Sequence, residues 1–192
     1  GEPLIKTPWV ISDATHSWTW PGCEGKPAVV EVYSDAETVE LFLDGESLGI
    51  CHPRECIARF ETIYRPGMLR AIARCGEHIC GEDAVQTAGP VAAIRLVAET
   101  DTPAGSLVWI DVMLIDSEGR WNDAEERVLT ITKKGGAELL AFGSANPRAG
   151  TYPSGVTETY KGRAQIILRK SEGACTVIVT SNKGESAALS IE

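Results

Sequence analysis

Short apolar alternations, each closed by a cluster of turn residues, constrain this chain more than any other feature. AVVEVYS (28–34), TVELFLDGESLG (38–49), ARFETIY (58–64) and MLRAIARC (68–75) set apolar side chains largely at every second position. That is the two-residue period of a half-buried strand, not the 3.6-residue period of a helix. With 19 Gly and 10 Pro but only 6% aromatic residues, the composition suits short strands joined by tight turns, and it predicts an all-β protein. Val39, Leu41 and Leu43 share one strand face, and Asp44-Gly45 supplies the two positive-φ residues of a type I′ hairpin. Arg65-Pro66-Gly67 predicts a second hairpin, between ARFETIY and MLRAIARC.

QTAGPVA (86–92) breaks the pattern with a Gly-Pro step, after which it restarts. AIRLVAE (93–99), LVWIDVMLID (107–116), VLTIT (128–132), ELLAFG (138–143), AQIILR (164–169), TVIVTS (176–181) and AALSI (187–191) make about seven strand segments, the outline of an immunoglobulin-like sandwich without the Cys…Trp…Cys hallmark of antibody domains. A chain of 192 residues is long enough for two such cores. The expected organisation is two tandem immunoglobulin-like β-sandwiches: a linker segment plus the first sandwich over residues 1–88, and the second over residues 89–192. Gly89-Pro90 should make the joint short and stiff. The opening GEPLIKTPWV, with Pro8 and Trp9, is expected to be extended linker.

A formal charge of −9 disfavours nucleic acid and anionic membrane surfaces as partners, since both reward clustered Lys and Arg. No apolar run approaches the roughly 20 residues of a spanning helix, and no signal-peptide pattern opens the chain, so a cytoplasmic location is the expectation. The six cysteines are Cys23, Cys51, Cys56, Cys75, Cys80 and Cys175. Cys51…Cys56 and Cys75…Cys80 are spaced C-x4-C, whereas structural zinc knuckles favour C-x2-C. No metal or cofactor is expected, and reduced thiols are the default, with a Cys75–Cys80 bridge at a hairpin end as the alternative. DSEGRWNDAEE (116–126) departs from a calcium loop at Glu118 and Gly119 and suits a strand connection.

Gly45-Glu46-Ser47-Leu48-Gly49 matches the G-x-S-x-G of serine hydrolases. A nucleophile elbow needs a strand-to-helix turn and a histidine held by a carboxylate. Ser47 instead follows a hairpin turn with no helical period after it, and His16, His52 and His78 stand in no recognisable motif. Ser47 is therefore read as structural, and no catalytic residue is assigned.

The remaining signal is aromatic. His16, Trp18 and Trp20 alternate in THSWTWPG, so an extended segment would direct all three the same way. They could cap the first sandwich's core, dock onto a neighbouring domain, or form a sugar-stacking platform to which Trp121 would add.

HSWTWPGCEGKPAVVEVYSDAETVELFLDGESLG (16–49) resembles the region after the catalytic barrel in bacterial glycoside hydrolase family 2 enzymes, chiefly β-galactosidases, where H-W-N-W, G-x-E-G and V-E-L-F-L-N-G-x-S-L-G recur. YRPGMLRAIA (64–73), TAGPVAAIRL (87–96), FGSANP (142–147) and YKGRAQIILR (160–169) are similar to further blocks of that family. Ser17 interrupts the H-W-x-W run, and Asp35 and Asp44 stand where the family commonly has Asn. The resemblance implies a retaining β-glycosidase as parent, its two glutamates in a (β/α)8 barrel of about 250 residues that this chain does not contain. It further implies a structural, accessory role here, with that barrel as packing partner and carbohydrate binding as the alternative.

Overall fold

The computed structural model describes residues 14–98, 103–147 and 152–192. The protein is all-β as expected: among the described residues twelve strands run in antiparallel sheets, and no helix is long and apolar enough to cross a membrane. The opening linker, with Pro8 and Trp9, lies outside the described residues. The chain divides into two compact units. One is Gly22–Gln86 with the segment up to Trp18, the other Thr87–Glu192 with Thr19–Pro21.

The first unit contains β1 (Pro27–Tyr33), β2 (Thr38–Leu43), β3 (Glu46–Cys51), β4 (Ile57–Ile63), β5 (Met68–Cys75) and β6 (His78–Gln86). They form a two-stranded sheet, β1-β4, and a four-stranded sheet, β3-β2-β5-β6. Val39, Leu41 and Leu43 of β2, Ala58 and Phe60 of β4 and Leu69 and Ala71 of β5 are buried, so the alternation of the sequence becomes an inner and an outer face. The β2–β3 hairpin turns at Asp44 (φ 50) and Gly45 (φ 83), as the Asp-Gly pair demands. The Asp44 carboxylate then accepts the Met68 N–H at 2.8 Å.

The second expected hairpin does not form. β4 pairs with β1 (Val30 opposite Phe60) and β5 with β2 (Leu41 opposite Ala71), so Arg65-Pro66-Gly67 carries the chain from one sheet to the other. Tyr64 explains why. Its N–H donates to the Lys26 carbonyl at 2.8 Å, extending the β1 ladder, while its ring is buried; Pro66 then offers no N–H for a hairpin.

β6 is an edge strand with nearly every residue exposed. A bulge sets Ile79 opposite Arg74 and Gly81 opposite Ala73, leaving Cys80 as the extra residue. A bulge re-aims the side chain it carries, and here Cys80 meets Cys75 in a disulfide. The bridge replaces the default of reduced thiols at this pair, while Cys23, Cys51, Cys56 and Cys175 stay free.

The second unit contains β7 (Ala93–Val97), β8 (Leu107–Ile115), β9 (Val128–Gly143), β10 (Val156–Glu158), β11 (Arg163–Ser181) and β12 (Ser186–Ile191). VLTIT and ELLAFG, expected as separate strands, are the two ends of β9, and AQIILR and TVIVTS are the two ends of β11. The two long strands pair along their lengths, with a register shift between Lys170 and Cys175. At Gly135 and Gly136 the backbone of β9 lies so close to Ala174 and Glu172 that a β-carbon would overlap their carbonyl oxygens. Beyond the shift β12 joins the C-terminal half of β11 and β10 the N-terminal half of β9, while β8 and β7 extend the other layer. The sandwich is thus one sheet folded over. Between its layers lie Val108, Ile110, Val112 and Leu114 of β8, Ile166 and Leu168 of β11, and Leu129, Val177, Val179 and Ile191 from the opposite layer, all buried. Each such side chain contributes about 1.5–3 kcal/mol by leaving water.

Residues 88–92 are fastened to the second unit by successive hydrogen bonds. Ala88 N–H donates to Thr19 Oγ1 (3.0 Å), Gly89 N–H to Asp116 Oδ2 (2.9 Å), Val91 N–H to Glu125 Oε1 (3.1 Å) and Ala92 N–H to the Ile115 carbonyl (2.8 Å). Asn122 Nδ2 donates to the Gly89 carbonyl at 2.8 Å.

Candidate functional site

Ser47 sits on β3, where its hydroxyl donates to Glu40 Oε1 at 2.8 Å and accepts the Gly49 N–H at 3.3 Å. Two histidines are engaged elsewhere, His52 Nδ1 lying 3.0 Å from the Glu37 carbonyl oxygen and His16 Nε2 lying 2.8 Å from Asp83 Oδ2, and His78 stands at the start of β6. The Gly-x-Ser-x-Gly stretch is a hairpin whose serine steadies its own turn.

The aromatic segment does not present one common face. Residues 14–20 form no sheet ladder. His16 is exposed beside Asp83 of β6, and its partner there is equally open to solvent. Trp18 is 1% exposed; its indole N–H donates to the Arg65 carbonyl at 2.9 Å and its ring meets the Tyr64 ring edge-on, centroids 5.0 Å apart. Trp18 therefore closes the first unit's core, with its polar atom satisfied by the crossing segment. Trp20 is half-buried and belongs with Thr19 and Pro21 to the second unit. Alternation placed the three rings together because it assumes a straight strand, and here the backbone is not one.

Trp121 is occupied as well. Its indole N–H donates to the Lys161 carbonyl at 3.0 Å, and the Arg163 guanidinium lies 3.8 Å from the ring centroid, covering one of its two faces.

The acidic loop after β8 is a structural knot. Asp116 is buried, which opposes its ionisation. The N–H groups of Gly89, Arg120 and Glu118, together with the Arg120 guanidinium, nonetheless hold its carboxyl below the ordinary aspartate range. Arg127 is buried between Glu125 (2.9 Å) and Glu185 (3.1 Å), and Glu185 is likewise held low, against burial, by Ser181, its own N–H and Arg127. Among the described residues no group of three or more His, Cys, Asp or Glu side chains is placed to hold a metal ion.

Residues 95–190 match the model of glycoside hydrolase family 2 C-terminal domain 5, which is half of the chain, and residues 25–80 match a domain of unknown function, DUF4982. The chain belongs to the family of glycoside hydrolase family 2 C-terminal domains. This family 2 region is 24% identical over 205 aligned residues to the β-galactosidase BoGH2A of Bacteroides ovatus, covering 98% of the chain and 23% of that relative. A glycosyl hydrolase family 2 member from Bacteroides cellulosilyticus superposes with a TM-score of 0.90 at 30% identity, over 95% of the chain and 25% of its own. A β-glycosidase from Bacteroides vulgatus superposes with a TM-score of 0.84 at 26% identity, over 92% and 24%. The chain thus spans about a quarter of the relatives it matches and corresponds to their accessory, C-terminal part.

Proposed function

We propose that this chain is the C-terminal packing region of a β-galactosidase-like family 2 glycosidase. In this reading the catalytic (β/α)8 barrel lies in the same polypeptide and cleaves terminal β-galactosides with retention, through one nucleophilic and one acid/base glutamate. The observation that carries the proposal is the match to the β-galactosidase BoGH2A, which runs over 98% of this chain and yet takes up only 23% of the relative. The geometry agrees with it: Ser47 is bonded to Glu40 within its own hairpin, and the buried ionic groups brace loops.

The role falls to two stiff sandwiches that present surfaces to the barrel. In this reading His16 and Trp20 lie at the contact with the barrel, whereas Trp18 serves the first unit's interior. The test is hydrolysis of 4-nitrophenyl β-galactoside by the full polypeptide and by this chain alone. Turnover with retention by the first and none by the second is expected. Turnover by the pure chain that Ser47→Ala abolishes would overturn the proposal, as would a full polypeptide that cleaves β-glucuronides and leaves β-galactosides untouched.

A further inference from the structure

The outer face of the second unit carries an arrangement that none of the residues discussed so far explains. Trp109 stands on β8 with 52% of its surface exposed, opposite Ile167 of β11, which in turn faces Ala141 of β9. One register step along, Asp111 of β8 faces Gln165 of β11, and Gln165 faces Gly143 of β9. The Gln165 amide donates to Asp111 Oδ1 at 3.0 Å. Over Gly143 lies the ring of Tyr152, 50% exposed, occupying the space that any β-carbon at 143 would take. The two aromatic side chains therefore stand two strand spacings and one register step apart, about 12 Å on the diagonal, and the hydrogen-bonded carboxylate–amide pair, in the same row as Gly143, lies along the path from one to the other.

We propose that this face binds a neutral, extended β-linked oligosaccharide. β-Linked hexopyranosides present flat C–H faces, on either side of a glucoside with its equatorial substituents and on the side away from the axial O4 of a galactoside, and these faces stack on Trp109 and Tyr152. Between them, Asp111 Oδ2 and Gln165 Oε1 accept hydrogen bonds from sugar hydroxyls, and the second amide N–H of Gln165 donates one.

Charge selects this occupant over others. Among the described residues Asp111 is met by an amide and not by a cation, so whatever covers it must bring donors. Hydroxyls do so at little desolvation cost, whereas a folded protein face would have to set a donor or cation opposite the carboxylate and desolvate both. A polyuronide would set carboxylates against Asp111. Among the described residues the arginines of this face are engaged: Arg95 with the Gly119 carbonyl, Arg163 with Trp121, and Arg169 near Glu138 at 4.0 Å.

The site goes beyond the packing role and rests on the glycosidase reading only for its choice of ligand class. Binding is read on this chain and hydrolysis on the full polypeptide, so the two fail separately. The test is affinity electrophoresis of the 192-residue chain in gels containing β-1,4-galactan, a soluble β-1,4-glucan or polygalacturonate, backed by tryptophan fluorescence titration with the matching neutral oligomers. Retardation in at least one neutral gel and none in polygalacturonate is expected. Trp109→Ala should weaken the neutral interaction about tenfold. Gly143→Ala, which displaces the Tyr152 ring, should weaken it as well, both variants keeping the near-UV dichroism of the parent. Absence of retardation in either neutral gel would overturn the site, as would retardation that survives Trp109→Ala. So would a Trp109→Ala chain that stops associating with the separately produced remainder of the polypeptide, because the face would then be a protein interface.

Discussion

Asp116 is a single side chain on which a connection depends. It accepts N–H groups from Gly89, Glu118 and Arg120 while buried, so removing its charge leaves several donors competing for a weaker acceptor. Its native pKa lies below the unfolded value of about 3.9, so its stabilisation is complete above roughly pH 5 and is lost as pH falls through the lowered native value. Asp116→Asn should therefore cost about 1–3 kcal/mol at pH 7 and flatten the acid limb of a urea-midpoint profile between pH 5 and 2. An unchanged acid limb would remove Asp116 from that role. Trp18 gives a second measure: Trp18→Phe loses the bond to the Arg65 carbonyl and should cost about 1–2 kcal/mol in urea unfolding, without altering the second unit's transition. Little of this was legible in the sequence. His16, Trp18 and Trp20 stood out by type and spacing, but their different fates depend on a backbone that leaves the extended path. Asp116 resembled any turn aspartate, because its three donors come from two segments far apart in sequence.

At the scale of the element, local alternation predicted strands wherever one face is buried. It failed at β6, where nearly every side chain is exposed and the period vanishes. It also split β9 and β11, since KKGG and KSEG look like turns when each is read alone. The structure shows them to be the facing bends of two paired strands. Gly136→Val should show this: its side chain would meet the Glu172 carbonyl, at a cost on the order of 3 kcal/mol, whereas the same change at the open Gly173 would act only through its positive φ. The midpoint difference between the two variants is the measurement. The partner of each strand escaped the sequence too. YRPG looked like a hairpin and is a crossing, because pairing was decided by Tyr64 and its bond to Lys26, 38 positions upstream (64 − 26). The Cys75–Cys80 bridge closes a short loop on an otherwise unsupported edge, so reduction or Cys75→Ser/Cys80→Ser should lower the first unit's stability by roughly 2 kcal/mol. Faster amide exchange should be confined to β5 and β6, and exchange that instead accelerated through β1 and β4 would contradict so local an effect.

For the whole molecule, the all-β class and the family membership were both visible in the sequence, the first from alternation and the second from blocks such as VELFLDGESLG and YKGRAQIILR. A shared block reports a shared backbone, whereas the outward-facing Trp109, Asp111 and Gln165 lie within strand patterns that alternation alone explains. Two separate interiors have a thermodynamic consequence. Val39, Leu41, Phe60 and Leu69 are buried in the first unit, and Ile110, Leu114, Val177 and Ile191 share the core cluster of the second. Leu41→Ala and Ile110→Ala each remove a fully buried side chain and should each cost about 2–5 kcal/mol. At roughly 4–8 °C per kcal/mol for units of this size, either loss shifts a melting transition by about 8 °C or more. If each unit unfolds on its own core, calorimetry of the native chain shows two transitions, or one that deconvolutes into two. Leu41→Ala should then lower one component and Ile110→Ala the other, with the unperturbed component moving by no more than about 2 °C. Should either substitution pull both components down together, the two units would constitute a single cooperative block, and the region would act in its parent as one rigid body instead of two.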